Sequence, residues 1–124
     1  MYKVLLIGIA GLFGTLARYY LSGWADQWWG GTFPFGTLIV NLIGCLAIGF
    51  LYHATEEKFL IDPVVRSAIL VGFLGGFTTF SSFAVQSFNL LGAGEIFLAT
   101  ANILVSNLAG LILVWVGYGI SRAM

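Results

Sequence analysis

Nine consecutive residues, Gly75-Gly76-Phe77-Thr78-Thr79-Phe80-Ser81-Ser82-Phe83, join a weak helix-forming backbone to hydroxyl groups and aromatic rings. Adjacent glycines, β-branched threonines and paired serines are poor material for an uninterrupted helix. If the stretch lies inside a membrane, the backbone groups it frees must be satisfied by protein or bound ions. Converging carbonyl oxygens can then hold a monovalent cation without any carboxylate. A glycine-rich packing crossover is the simpler alternative. Phe80 and Phe83, three residues apart, share a face if the chain is helical there. Rings at this spacing commonly pack in a core or against lipid. Here they are interleaved with Ser81 and Ser82, which points toward a lined path. A ring has a negative face and a positive edge, so rings turned edge-on attract an anion to which hydroxyls can donate. The combination suits a small, hard anion.

Other polar residues repeat this theme. Thr37 and Asn41 are four apart, as are Asn102 and Ser106, with Asn107 adjacent. Each such pair occupies one helical face. Hydrogen bonding between helices accounts for any one of these residues; two polar stripes in one small chain favour a wet pathway. The carboxylates Asp26, Glu56, Glu57, Asp62 and Glu95 all fall in expected loops or at span ends. Proton-coupled drug antiporters of this size need a membrane-embedded acid, and this chain is expected to have none. A structural membrane protein without transport is a further alternative. His53 is the only histidine and reads as an interfacial residue; with no nucleophile–base pair or metal cluster beside it, an enzyme is not expected. Cys45, the only cysteine, reads as a small buried hydrophobe.

Holding these groups in place requires membrane helices. Of 124 residues, 60% are hydrophobic and 8% charged, against about a quarter charged in soluble domains. A net charge of zero gives no reason to expect a nucleic acid partner. A span needs roughly 20 mostly apolar residues. Residues 4–21, 35–53, 65–91 and 96–121 qualify, which predicts an all-α integral membrane protein, a single four-helix domain over residues 1–124. The third span is expected to break at mid-membrane. Arg18-Tyr19-Tyr20 follows the first apolar run where a signal peptide would have small residues, so a retained first span is expected. Trp24, Trp28 and Trp29 read as interfacial anchors after it. Lys3, Lys58, Arg66 and Arg122 fall on one side and Arg18 on the other, so a simple positive-inside count puts both termini in the cytoplasm. So small a bundle has little interior, and a homo-oligomer is the economical way to build a pathway. Small residues four apart, at Ala10/Gly14 and Gly72/Gly76, allow close helix approach.

At these residues the chain resembles the bacterial Fluc/CrcB family of fluoride channels. The resemblance covers size, four spans, the Gly36-Thr37-Leu38-Ile39-Val40-Asn41 segment and, above all, residues 75–83. It implies an antiparallel, dual-topology homodimer in the bacterial inner membrane, with two fluoride pathways along the interface. Phe80 and Phe83 would form the aromatic box, Asn41 would be a pore donor, and Ser81 and Ser82 would form a polar rail. Thr37, Ser106 and Gln86 would extend the polar lining. A central structural Na⁺ would be held by backbone carbonyls of Gly75 and Thr78 from each subunit. Arg18 would sit near the end of the first helix, shaping the vestibule; snorkelling to headgroups explains it equally. Where family members commonly carry Ser-x-Glu after the second phenylalanine, this chain has Ala84-Val85-Gln86, so Gln86 hydrogen-bonds but cannot ionise.

Overall fold

A computed structural model describes all residues, 1–124, and the fold is wholly helical. α1 spans Tyr2–Trp29 and α2 spans Phe35–His53, which continues into a wider π-type turn over Ala54–Lys58. α3 (Pro63–Ser67) leads through a second π-type stretch, Ala68–Phe73, into the short α4 (Leu74–Phe77). α5 covers Phe80–Gly92 and α6 covers Ile96–Ala123. Four helical stretches are long and apolar enough to cross a membrane: Tyr2–Trp29, Phe35–Lys58, Pro63–Gly92 and Ile96–Ala123. The protein is therefore a multi-pass membrane protein.

The helices outlast the apolar runs that announce them. α1 does not stop near residue 21; it carries Trp24, Trp28 and Trp29 within its last turns. Hydropathy marks the greasy segment, whereas the helix ends only at Gly30-Gly31, where Gly31 takes φ 153°, a conformation most side chains disfavour. Glu56, Glu57 and Lys58 likewise lie in the wide turn that extends α2 and not in a loop. Asp62 then starts α3, its carboxylate accepting from the amides of Val64 and Val65 at 2.8 and 3.4 Å, with Pro63 in the first turn. At the other end of the bundle Asp26 Oδ1 accepts from the Gly36 amide at 2.8 Å, tying α1 to the start of α2.

Two close helix crossings build the bundle. α1 lies on the first half of the third span, where Gly14 faces the backbone of Phe73. Gly72 faces Ile7 and Ala10 there, and Gly76 faces Gly11 and Thr15. The small residues spaced four apart on the two spans thus pack against one another. α2 and α6 pair along their length, with Gly49 against the backbone of Val114 and Gly117 against that of Leu46. His53 is buried at 5% exposure, its ring covered by α6. Its Nδ1 pairs with Ser121 Oγ at 3.0 Å, its Nε2 with Glu57 at 3.2 Å, and its ring meets Tyr118 edge-on. Arg66 fastens the start of the third span to the end of the second, through Glu56 at 2.9 Å, Thr55 Oγ1 at 3.2 Å and the Tyr52 ring.

Candidate functional site

The third span changes backbone conformation at two residues. Thr78 (φ −94°, ψ 157°) and Thr79 (φ −148°, ψ 116°) are extended, between the end of α4 and the start of α5. Their own side chains favour this. Thr78 closes α4 by sending both its amide and its hydroxyl to Leu74 O, each at 3.0 Å. Thr79 opens α5 as its N-cap, its Oγ1 accepting from the Ser82 amide at 3.2 Å. The hydroxyls of Ser81 and Ser82 lie 3.4 and 3.1 Å from the same Thr79 oxygen.

Because the helical ladder ends with the Thr78 amide on Leu74 O, the carbonyls of Gly75, Gly76 and Phe77 have no partner four residues on. Side chains from neighbouring helices reach this region. Arg18 Nε donates to Gly76 O at 3.0 Å. Asn41 Nδ2 donates to Thr79 O at 3.0 Å, and the Thr79 amide donates to Asn41 Oδ1 at 2.7 Å. Arg18 does not end its helix, since α1 continues to Trp29.

An open cleft of about 320 Å³ lies against this link. It is lined by Asn41, Gly44, Cys45 and Ile48 of α2, by Leu70, Leu74, Gly75, Thr78, Thr79, Phe80 and Phe83 of the third span, and by Ser106 and Asn107 of α6. None of these side chains is acidic, basic or a histidine. The ring centroids of Phe80 and Phe83 are 5.5 Å apart, tilted by 47°. Gly75 faces open space, with nothing within 4 Å of where a Cβ would stand. No three His, Cys, Asp or Glu side chains are grouped as metal ligands. An oxygen-only donor set at a helix C-terminus, the negative end of its dipole, nevertheless suits a hard monovalent cation. The carbonyls of Gly75 and Phe77 would be donors of this kind, whereas Gly76 O is already taken by Arg18.

Of the residues singled out from sequence, the cleft gathers Asn41, Gly75, Thr78, Phe80, Phe83 and Ser106. It does not gather Thr37, which is buried in the bundle, or Ser81 and Ser82, whose hydroxyls serve the Thr79 cap. Arg18 and Gln86 also lie outside the lining, and Gln86 Oε1 is buried without a hydrogen-bond partner. Ser106 Oγ donates to Asn102 Oδ1 at 3.4 Å. Asn102, 2% exposed, donates to Ser87 Oγ at 2.9 Å, and Ser87 donates to Phe83 O at 2.9 Å. This chain of bonds joins α6 to the backbone of a cleft phenylalanine. Sequence reasoning passed over Ser87 and the role of Thr79; a threonine three residues before a serine at a helix start was the available signal for Thr79.

The CrcB-like protein, Camphor Resistance (CrcB) family model matches residues 5–118. The chain is 41% identical over 124 residues to a protein of Geotalea uraniireducens (strain Rf4), covering 100% of both. It is 44% identical over 124 residues to one of Citrifermentans bemidjiense, again covering 100% of both. A protein of Nitratidesulfovibrio vulgaris (strain DSM 19637 / Miyazaki F) is 44% identical over 123 residues, 98% of each chain. Each of the three is named fluoride-specific ion channel FluC. With the family model and full-length relatives in agreement, the chain belongs to the CrcB-like protein family.

Proposed function

We propose that the protein is the subunit of a fluoride-selective channel in the bacterial inner membrane that passes F⁻ passively out of the cell. The observation that carries this reading is the cleft. It sets two phenyl rings, 5.5 Å apart, beside the polar side chains of Asn41 and Ser106, with no carboxylate, ammonium, guanidinium or imidazole group in its lining. Positive ring edges and neutral donors attract a small anion without holding it as tightly as a fixed cation would. The relatives' names support fluoride as that anion.

In this reading the Thr78–Thr79 link lies at mid-membrane, and two antiparallel copies close their clefts against each other to form two pathways. Phe80, Phe83, Asn41 and Ser106 line each pathway. Thr37, Ser81, Ser82 and Gln86 extend its polar side, and Arg18 shapes the potential at its mouth. The carbonyl oxygens of Gly75 and Thr78 from both copies would hold a structural Na⁺, which supplies a fixed positive charge at the centre of the assembly. Fluoride that enters as neutral HF dissociates in the cytoplasm and is trapped. A negative interior favours its exit by about 2.3 kcal/mol per charge per 100 mV. Channel passage makes and breaks no covalent bond, so no catalytic residue is assigned.

Purified protein in potassium-loaded proteoliposomes, clamped with valinomycin, tests the proposal. We expect rapid fluoride release at a fluoride electrode and little chloride release under the same clamp. Comparable chloride flux, or no protein-dependent fluoride flux, overturns it.

A further inference from the structure

Two side chains from different helices are spent on the backbone of the third span where its helix stops. Asn41, on α2, makes a two-way contact with one peptide residue: its Nδ2 donates to Thr79 O at 3.0 Å and its Oδ1 accepts from the Thr79 amide at 2.7 Å. Arg18, on α1, donates from Nε to Gly76 O at 3.0 Å. These bonds join residues 38 and 58 positions apart in sequence. They satisfy the Gly76 carbonyl and the Thr79 amide, two backbone groups that the interruption leaves without helical partners, and give the N-cap carbonyl of Thr79 a second donor, in surroundings where an unpaired amide or carbonyl is costly. Between the two anchored residues lie Phe77 and Thr78; immediately beyond them begins Phe80.

We propose that Asn41 and Arg18 are positioning residues that clamp the extended link from both sides and thereby set where the Phe80 ring and the Thr78 carbonyl stand in the cleft. The proposal rests on the channel reading for its functional consequence. The clamp itself rests on geometry. Three features carry it. Asn41 is bidentate on a residue at an angle no helix permits, so it stabilises the extended conformation over the helical one. Arg18 brings a charged donor to the C-terminal end of α4, where a cation is favoured by the helix dipole and a charged hydrogen bond is stronger than a neutral one. The helices that carry them are themselves fixed nearby by close packing, α1 through Gly14 on Phe73 and α2 through Gly44 on Thr78. One Asn41 amide hydrogen stays free for the cleft, so the clamp is separable from any contact that Asn41 makes with an ion.

The experiment compares wild type, Asn41→Ala, Asn41→Asp and Arg18→Gln in fluoride-free nanodiscs by amide hydrogen exchange, and in liposomes by reversal potential under opposed fluoride and chloride gradients. A clamp predicts that peptides covering residues 75–83 exchange about tenfold faster in Asn41→Ala and in Arg18→Gln, while those covering residues 96–123 are unchanged. Asn41→Asp retains the acceptor for the Thr79 amide and is expected to fall between wild type and Asn41→Ala. The fluoride-to-chloride permeability ratio should drop about tenfold in Asn41→Ala, because a displaced ring and carbonyl alter fit and not merely the number of folded channels. Unchanged exchange at residues 75–83 in both Asn41→Ala and Arg18→Gln overturns the clamp, and would leave Asn41 acting only on the ion. Faster exchange with an unaltered permeability ratio overturns the positioning role. Should Asn41→Ala fail to fold, Asn41→Asp and Arg18→Gln carry the same comparisons. A wild-type protein that passes no fluoride defeats the channel reading, while the exchange data still decide the clamp.

Discussion

Phe80 and Phe83 stand three residues apart on one helix and line one cleft, yet the chain treats them differently. Phe83 is 8% exposed and its carbonyl receives Ser87, whereas Phe80 is 78% exposed with its ring toward open space. Truncating the first removes packing inside the bundle; truncating the second removes almost none within a single chain. Lipid is as apolar as the ring, so the loss at Phe83 is mainly one of packing. We expect Phe83→Ala to lower resistance to unfolding by about 1–3 kcal/mol, and Phe80→Ala by less than about 1 kcal/mol. Titration of the reconstituted protein with a denaturing detergent measures both. If the rings line the ion path, Phe80→Ile and Phe83→Ile both suppress fluoride flux despite their unequal effect on stability. Equal stability losses would refute the asymmetry, and undiminished flux in both would remove the rings from the path. The residue types at this site were readable in the sequence because glycines, threonines and phenylalanines in one apolar run declare themselves. The partner of Asn41 was not, since a bond across 38 residues depends on how α2 lies against the third span. Ser87, and with it the partner of Asn102, was hidden for the same reason: the two side chains spend their polarity on each other, between helices.

At the scale of elements, four spans are legible because an apolar run long enough to cross a bilayer has few other uses. Their ends are less so. Arg18 and Trp24 interrupt the hydropathy of α1 without interrupting its hydrogen bonds, and only Gly30-Gly31 end it. Which glycines matter is likewise set by packing and not by count. Gly49 and Gly117 let α2 and α6 approach until a Cβ on either would strike the backbone of the other. Backbone cannot rotate aside as a side chain can, so the helices must part along a shared seam. Gly49→Ala and Gly117→Ala should each destabilise the fold by about 1–3 kcal/mol, even though alanine is the better helix former. Gly92→Ala, with nothing near, should be neutral or mildly stabilising. Thermal unfolding of the three variants in one detergent checks the order. A loss at Gly92 equal to that at Gly49 would show that helix approach is not what these positions serve.

For the whole molecule, the cleft poses a problem that one chain leaves unsolved. No more than 28% of the hydropathic core of any span is buried within the chain, and lipid can cover the apolar remainder. Lipid cannot cover the cleft, where Asn41, Thr78, Thr79, Ser106 and Asn107 open outward, because hydrocarbon offers polar groups nothing. A second copy of the same surface does, and Gly75 beside it faces empty space, as a contact point for a partner's backbone would. Gly75→Trp discriminates between the two coverings. Within one chain a Cβ at this position has nothing within 4 Å, so the side chain starts into open space, whereas a second copy closed over the cleft would obstruct it. We therefore expect the wild type to run as a dimer in mild detergent and Gly75→Trp as a monomer, with loss of fluoride efflux. Gly8→Trp, equally unobstructed within the chain but on α1 away from the cleft, should alter neither. Mass photometry and a fluoride electrode read the two outcomes separately. A Gly75→Trp protein that stays dimeric and conducts would mean that this face meets lipid or solvent, and that the pathway is closed by something other than its own copy.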